Sequence, residues 1–172
     1  MQTSDQRLRF EQLILPHLDA AYNLARWLTH NDQDAQDVVQ EAYLRAFKFF
    51  HSFRGGDSRS WVLTIVRNTC YTWLQRQHVD EIFDEELHDA ECVFSNPEDL
   101  HIQRIEQGKI TEALNNLPTE FREIIVLREI EDLSYKDIST IMHIPLGTVM
   151  SRLARARKQL QRFLAVQKNE EA

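Results

Sequence analysis

Between Leu133 and Phe163 the chain reads LSYKDISTIMHIPLGTVMSRLARARKQLQRF, a stretch that constrains the fold more than any other. Ser134 followed three residues later by Asp137 is a capping-box signature for a helix start. Ile138, Ile141 and Met142 then recur at helical spacing. His143-Ile144-Pro145 ends that helix, because Pro145 has no N–H to donate and disfavours helical geometry at Ile144. A second helix follows, with Val149, Leu153, Ala156, Leu160 and Phe163 on its apolar side. Residues 147–163 carry Arg152, Arg155, Arg157, Lys158 and Arg162 and no acid. A helix of that length spans roughly 25 Å at about 1.5 Å per residue. The pattern is a helix-turn-helix with one cationic face, which fits a DNA major groove: arginines suit both phosphates and guanine edges. The plainer alternative is a solvated basic helix on an ordinary bundle.

The rest of the chain is equally helical in pattern. Only four glycines and four prolines occur among 172 residues, and no run alternates like a strand, so the expected fold class is all-α. No stretch approaches the roughly 20 apolar residues that cross a bilayer, and MQTSDQRLRF lacks the apolar core of a signal peptide. A cytoplasmic protein with no direct membrane insertion is expected. Two cysteines make no disulfide framework. Cys70 falls on an apolar helix face and reads as core. Cys92 lies in an acidic segment near His88, where a redox or metal role stays open, although two ligands do not complete a zinc site. No metal site, cofactor or catalytic residue is expected: there is no phosphate loop and no nucleophile–base arrangement, and the seven histidines are dispersed.

The net charge of −7 looks wrong for a DNA-binding protein until it is mapped. Residues 11–76 carry seven acids and seven bases, and residues 111–172 carry nine of each. Residues 77–110 carry ten acids and only two bases. The excess acid therefore sits between two neutral blocks. The first block, residues 8–77, reads as three helices: Leu8 to about Thr29, a second after Asn31-Asp32 whose start is favoured by Asp32, Asp34 and Asp37, and Ser60 to about Gln77. An acidic linker follows over 78–103, with Asn96-Pro97 as a breaker. The second block, 104–165, holds a helix to Asn116, a break at Leu117-Pro118, a helix from Thr119 to about Ile130, and the helix-turn-helix.

Two further constellations stand out. Asp37, Gln40, Glu41 and Leu44 share one helix face; acids beside an exposed Leu suit a protein partner with a basic, partly apolar helix, the alternative being a solvated polar face. In the loop and third helix, Phe53, Trp61, Tyr71 and Trp73 are interleaved with Arg54, Arg59, Arg67 and Arg76. Aromatic faces stack on unpaired bases while arginines follow phosphates, and Gly55-Gly56 lets backbone approach a ligand closely. Trp73 reads as core; Phe53, beside the two glycines, reads as a free face.

Taken together, DAQDVVQEAYLRAF from Asp34, SFRGGDSRSWVLTIVRNTCYTWL from Ser52, LNNLPTEFREIIVLREIEDLSYKDIS from Leu114 and IPLGTVMSRLARARKQL from Ile144 resemble the extracytoplasmic-function (ECF) sigma factors of the sigma-70 family. The resemblance runs from about Phe10 to Phe163. It implies a non-enzymatic promoter-specificity subunit of RNA polymerase with two helical domains, regions 2 and 4. Region 2 would dock on the β′ clamp helices through Asp37, Gln40, Glu41 and Leu44, and would melt and read the −10 element. The family pocket for a flipped-out base maps to Phe53, Gly55, Gly56, Asp57 and Asn68, with Arg54, Trp61 and Arg67 alongside; extruding a base costs a few kcal/mol, offset by stacking and edge hydrogen bonds. Region 4 would read the −35 duplex through Thr148, Met150, Ser151, Arg152, Ala154 and Arg155, with Ser151 and Arg155 on base edges. Arg152 and Arg157 would lie mostly on phosphates, and Tyr135 and Lys136 on the backbone. The implied partners are core RNA polymerase (β′ clamp helices and β subunit), promoter DNA and an anti-sigma factor.

The chain departs from the family pattern at Met150 and Ala154, where longer polar or aromatic side chains are frequent, at Thr72, where Asp is frequent, and in carrying two loop glycines. Two other functions compete: a conventional helix-turn-helix regulator that binds duplex without polymerase, which leaves the aromatic–arginine loop and acidic linker unexplained, and a sigma mimic that sequesters an anti-sigma factor, which has no need of the acid-free arginine helix.

Overall fold

The structure, a computed structural model, describes residues 2–83 and 101–170, and every regular element in them is helical. His88, Cys92 and the middle of the acidic linker lie outside the described residues. The first block contains α1 (Gln2–Leu13), α2 (Leu18–Thr29), α3 (Asp32–Phe49) and α4 (Ser58–Phe83). The single helix expected from Leu8 to Thr29 is thus two. Pro16 cannot donate to the helical ladder, and a 3₁₀ turn at Leu15–His17 carries the chain around it. α2 stops where His30 takes the left-handed conformation, φ 61°. Asn31 then caps α3, its side chain accepting from the Asp34 N–H at 3.0 Å. α4 runs six residues past the expected end at Gln77, to Phe83; no Gly or Pro occurs between Gly56 and Pro97 to stop it sooner.

The second block contains α5 (His101–Asn116), α6 (Thr119–Ile125), α7 (Tyr135–Met142) and α8 (Leu146–Glu170). α5 begins three residues before the expected Arg104. α6 continues as a π turn over Val126–Ile130, so the expected extent of this helix holds while its last turn is wider. Ser134 caps α7 as its sequence demands, accepting from the Asp137 N–H at 3.1 Å. His143, at φ 53°, ends α7, and the chain re-enters helix one residue after Pro145.

Each block buries its own stripe. α2, α3 and α4 pack together over Leu24, Leu28, Val38, Ala42, Val62 and Val66; α5 to α8 close over Ile124, Leu127, Ile138, Ile141, Val149 and Leu153. Cys70 is fully buried, and burial pushes its thiol up to about 12, so it is an unreactive core residue as expected. The two blocks also touch. α4 packs on α7 and α2 on α6, and one continuous cluster of buried residues runs through both.

His30 sits at this junction. Burial, reinforced by the nearby Arg122 guanidinium, lowers its imidazole from the ordinary 6.5 to about 4. The folded protein therefore holds His30 neutral while the unfolded chain takes up a proton below 6.5, so its contribution to stability is full above 6.5 and is lost progressively toward 4. His30→Asn, which tolerates the same backbone conformation, is expected to flatten the fall in denaturant midpoint between pH 6.5 and 4; an unchanged profile would refute the assignment.

Candidate nucleic-acid and polymerase interfaces

The loop before α4 is built by its glycines and by Asp57. Gly55 and Gly56 have φ of 92° and 89°, a region that side chains strain to reach, and a Cβ on either would meet nothing within 4 Å. The loop backbone is thus open to approach, as expected. Asp57 accepts from the N–H groups of Arg59 (3.1 Å) and Ser60 (3.3 Å) and from the Ser60 hydroxyl (2.6 Å). Burial opposes its ionisation, but these donors win and hold its carboxyl below the usual range. Asp57 is therefore the cap of α4, and its oxygens are directed to the helix rather than outward.

Phe53 differs from expectation. It is 8% exposed, stacked on Phe50 (centroids 5.8 Å, 15° between planes) and tilted against Trp61 at 5.3 Å. Three aromatics burying one another outweigh leaving one face wet. Trp73 is half-buried against the core, as read from sequence. Phe49, like Phe47 before it, is exposed (49% against 51%), with the Lys48 ammonium 5.6 Å from its ring centre. Sequence reasoning missed it: the run Phe47-Lys48-Phe49-Phe50 shows that some aromatics must face outward, but not which. Arg54 and Asn68 are exposed, and Trp61 is half-buried. Arg67 is largely covered, with its guanidinium 2.6 Å from Glu123 and its flat face over Tyr71 at 4.3 Å.

The helix-turn-helix presents what its sequence promised. Val149, Leu153 and Ala156 are buried, while Met150, Ser151, Ala154, Arg155 and Lys158 are exposed on the opposite side of α8. Thr148 is half-buried. Arg155 Nε reaches back to the Ser151 carbonyl at 3.4 Å. The two arginines expected on phosphates carry acid partners instead: Arg157 donates to Glu129 at 3.0 and 2.5 Å, and Arg152 lies 3.9 Å from Glu120. The Arg157–Glu129 pair is solvent-exposed, so it is weak and exchangeable for a phosphate. Lys136 is exposed, and Tyr135 is half-buried beneath the Arg128 guanidinium at 4.7 Å.

On α3, Asp37, Gln40 and Leu44 form one exposed face, Leu44 being 68% exposed; Glu41 is half-buried and paired with Arg45 at 2.8 Å. Beside them Leu18, Tyr22, Val39, Gln40 and Tyr43 line an open cleft of about 450 Å³ between α2 and α3. Its apolar lining was not anticipated, because it is shared by two helices and each contributes only a few residues.

Two family models match the chain. Residues 13–79 match sigma-70 region 2 and residues 107–160 match sigma-70 region 4. The RNA polymerase sigma-H factor of Pseudomonas aeruginosa is 32% identical over 174 residues, covering 95% of this chain and 90% of that protein. The chain belongs to the ECF sigma factors of the sigma-70 family. The ECF RNA polymerase sigma factor SigE of Mycolicibacterium smegmatis is 33% identical over 165 residues; the match covers 95% of this chain and 64% of SigE's length. The sigma factor RpoE of Bartonella quintana, solved in complex with the anti-sigma factor NepR, superposes with a TM-score of 0.77 at 30% identity, covering 92% of this chain and 98% of RpoE. Among the described residues no helix is long and apolar enough to cross a membrane.

In this sigma factor the loop glycines hold a positive φ that L side chains rarely adopt. Gly56→Ala is expected to cost roughly 1–2 kcal/mol from backbone conformation alone, since the Cβ has open space. Thermal unfolding checks this; an unchanged midpoint would show that the loop relaxes freely.

Proposed function

We propose that this sigma factor directs core RNA polymerase to promoters carrying two elements, with region 4 reading a −35 duplex and region 2 opening and reading a −10 element. The observation that carries this is the exposed face of α8, polar and cationic at Ser151, Arg155 and Lys158, backed by a buried stripe that fixes its direction. Met150 and Ala154 add apolar contacts suited to a thymine methyl. In region 2, Arg54, Asn68 and the loop backbone at Gly55-Gly56 face the melted strand, and Phe49 with Lys48 supplies the stacking surface that Phe53, held inside, does not. Asn68 both donates and accepts, so it can read a base edge.

Asp37, Gln40 and Leu44 dock on the β′ clamp helices, and region 4 engages the β subunit. The cleft of α2 and α3 lies beside that face and extends it. An anti-sigma factor is the expected antagonist, as NepR is a partner of the Bartonella RpoE. Catalysis belongs to the polymerase, and the site of action is the cytoplasm. The two domains take residues 8–77 and 104–165, with the acidic linker between them drawn toward a channel that holds nucleic acid.

Transcription in vitro with purified core polymerase and a randomised promoter pool tests the reading as a whole: transcripts that depend on this protein should share two upstream elements, and their absence despite core binding would refute it. Arg155→Ala should lose about 1–3 kcal/mol of promoter affinity and relax preference at one −35 position. An unchanged preference would remove Arg155 from the reading face. Leu44→Asp should weaken core binding about tenfold, or 1.4 kcal/mol, in a fluorescence titration, while the helical content of the free protein stays constant; undiminished binding would place the docking face elsewhere.

A further inference from the structure

The exposed side of α8 holds a row of residues that read no hydrogen-bonding edge. Leu146, Met150 and Ala154 recur at intervals of four, so they form one ridge along the helix. Leu146 is 47% and Met150 51% exposed, and Ala154 is exposed as well. The core of region 4 does not use them, because Val149, Leu153 and Ala156 fill the buried side of α8. A single exposed apolar residue needs no explanation, but a ridge of them does. Its neighbours indicate what covers it. Ser151, Arg155 and Lys158 are exposed alongside, and residues 147–163 contain no acid. Cationic surroundings of this kind select a polyanion, so the ridge suits DNA and not the apolar face of another protein.

We propose that Leu146, Met150 and Ala154 read C5-methyl groups, so that thymines at fixed positions of the −35 element are recognised by apolar contact instead of hydrogen bonds. This rests on the reading of α8 as the −35 helix. Every base pair offers donors or acceptors in the major groove, but the one apolar group there is the thymine methyl. Leucine and alanine side chains have no donor or acceptor, and the methionine thioether is only a weak acceptor. Against such a side chain the amino group of cytosine loses its water and gains no partner, which is unfavourable. A thymine methyl gives up no hydrogen bond and buries apolar surface. The spacing is compatible. Successive ridge residues lie about 6 Å apart along the axis, against about 3.4 Å per base pair, so they meet pyrimidines one to two base pairs apart. Side-chain length divides the work. Ala154 is short and lets the helix approach closely, whereas Met150, unbranched and flexible, adapts its reach to the methyl. Met150 is therefore the principal specificity determinant of the ridge.

The test uses the holoenzyme and a linear promoter whose −35 element has been selected by transcription in vitro. Each −35 thymine is replaced in turn by deoxyuracil, which keeps the pairing and every hydrogen-bonding group and lacks only the methyl. At one or two positions promoter affinity should fall about fourfold, the equivalent of one buried methyl. Holoenzyme carrying Met150→Ala, its helical content checked, should bind the thymine promoter more weakly. It should also no longer distinguish thymine from deoxyuracil at one of those positions. Full-strength binding to every deoxyuracil promoter overturns methyl reading. So does a penalty that persists undiminished at every position in Met150→Ala, because it reports duplex shape and not contact with the ridge. Scrambling the whole −35 element separates the two levels. If transcription then collapses while deoxyuracil is neutral, the methyl proposal alone fails; if transcription survives the scrambling, the −35 reading beneath it fails too.

Discussion

Glu123 is the group on which the arrangement of this molecule turns. A carboxylate with no access to water is costly unless it is neutralised and hydrogen-bonded, and its own helix offers neither service. Burial pushes its pKa up, while Arg67 and Tyr71 pull it back toward the charged form. Both hydrogen-bond partners come from the other half of the chain, while Arg152 of region 4 adds a smaller pull toward the charged form. Arg122, one residue before, works in the same way. Burial lowers its guanidinium to about 10, still well above neutrality, and it satisfies carbonyls on both sides of the boundary. Adjacent opposite charges thus add specific polar contacts to the continuous buried cluster that joins the two regions.

Much of region 2's aromatic content packs on itself, while Phe47 and Phe49 stay about half exposed. Phe10, Phe50, Phe53 and Trp61 pack edge-on or stacked against one another. Burial of Phe53 holds the segment before Gly55-Gly56 in the core, and Asp57 pins the loop's far end to α4. A loop whose two glycines leave it conformationally free is thereby anchored at both ends.

Much of this was legible in the sequence, because the signals are local. Ser134 and Asp137, Pro145, Asn31-Asp32 and the i, i+3, i+4 stripes each specify a cap, a break or a buried face within one or two turns, and each does so in the structure. The face of α8 followed from its period alone. Pro16 was an equally local signal whose breaking effect the helical pattern around it concealed. The remaining differences are tertiary. That Phe53 is buried depends on Phe50 and on Trp61, which arrives from another helix. That Arg67 and Arg59 carry acid partners depends on Glu123 and Glu131, which lie 56 and 72 residues away along the chain. No periodicity encodes such pairs.

Charge balance connects these observations. Several cations of the two regions have an acid within reach: Glu120 for Arg152, Glu129 for Arg157, Glu123 for Arg67 and Glu131 for Arg59. DNA binding normally gains from releasing the counterions condensed on phosphate. Here part of that gain is cancelled, because each arginine must first leave a carboxylate that served as its own counterion.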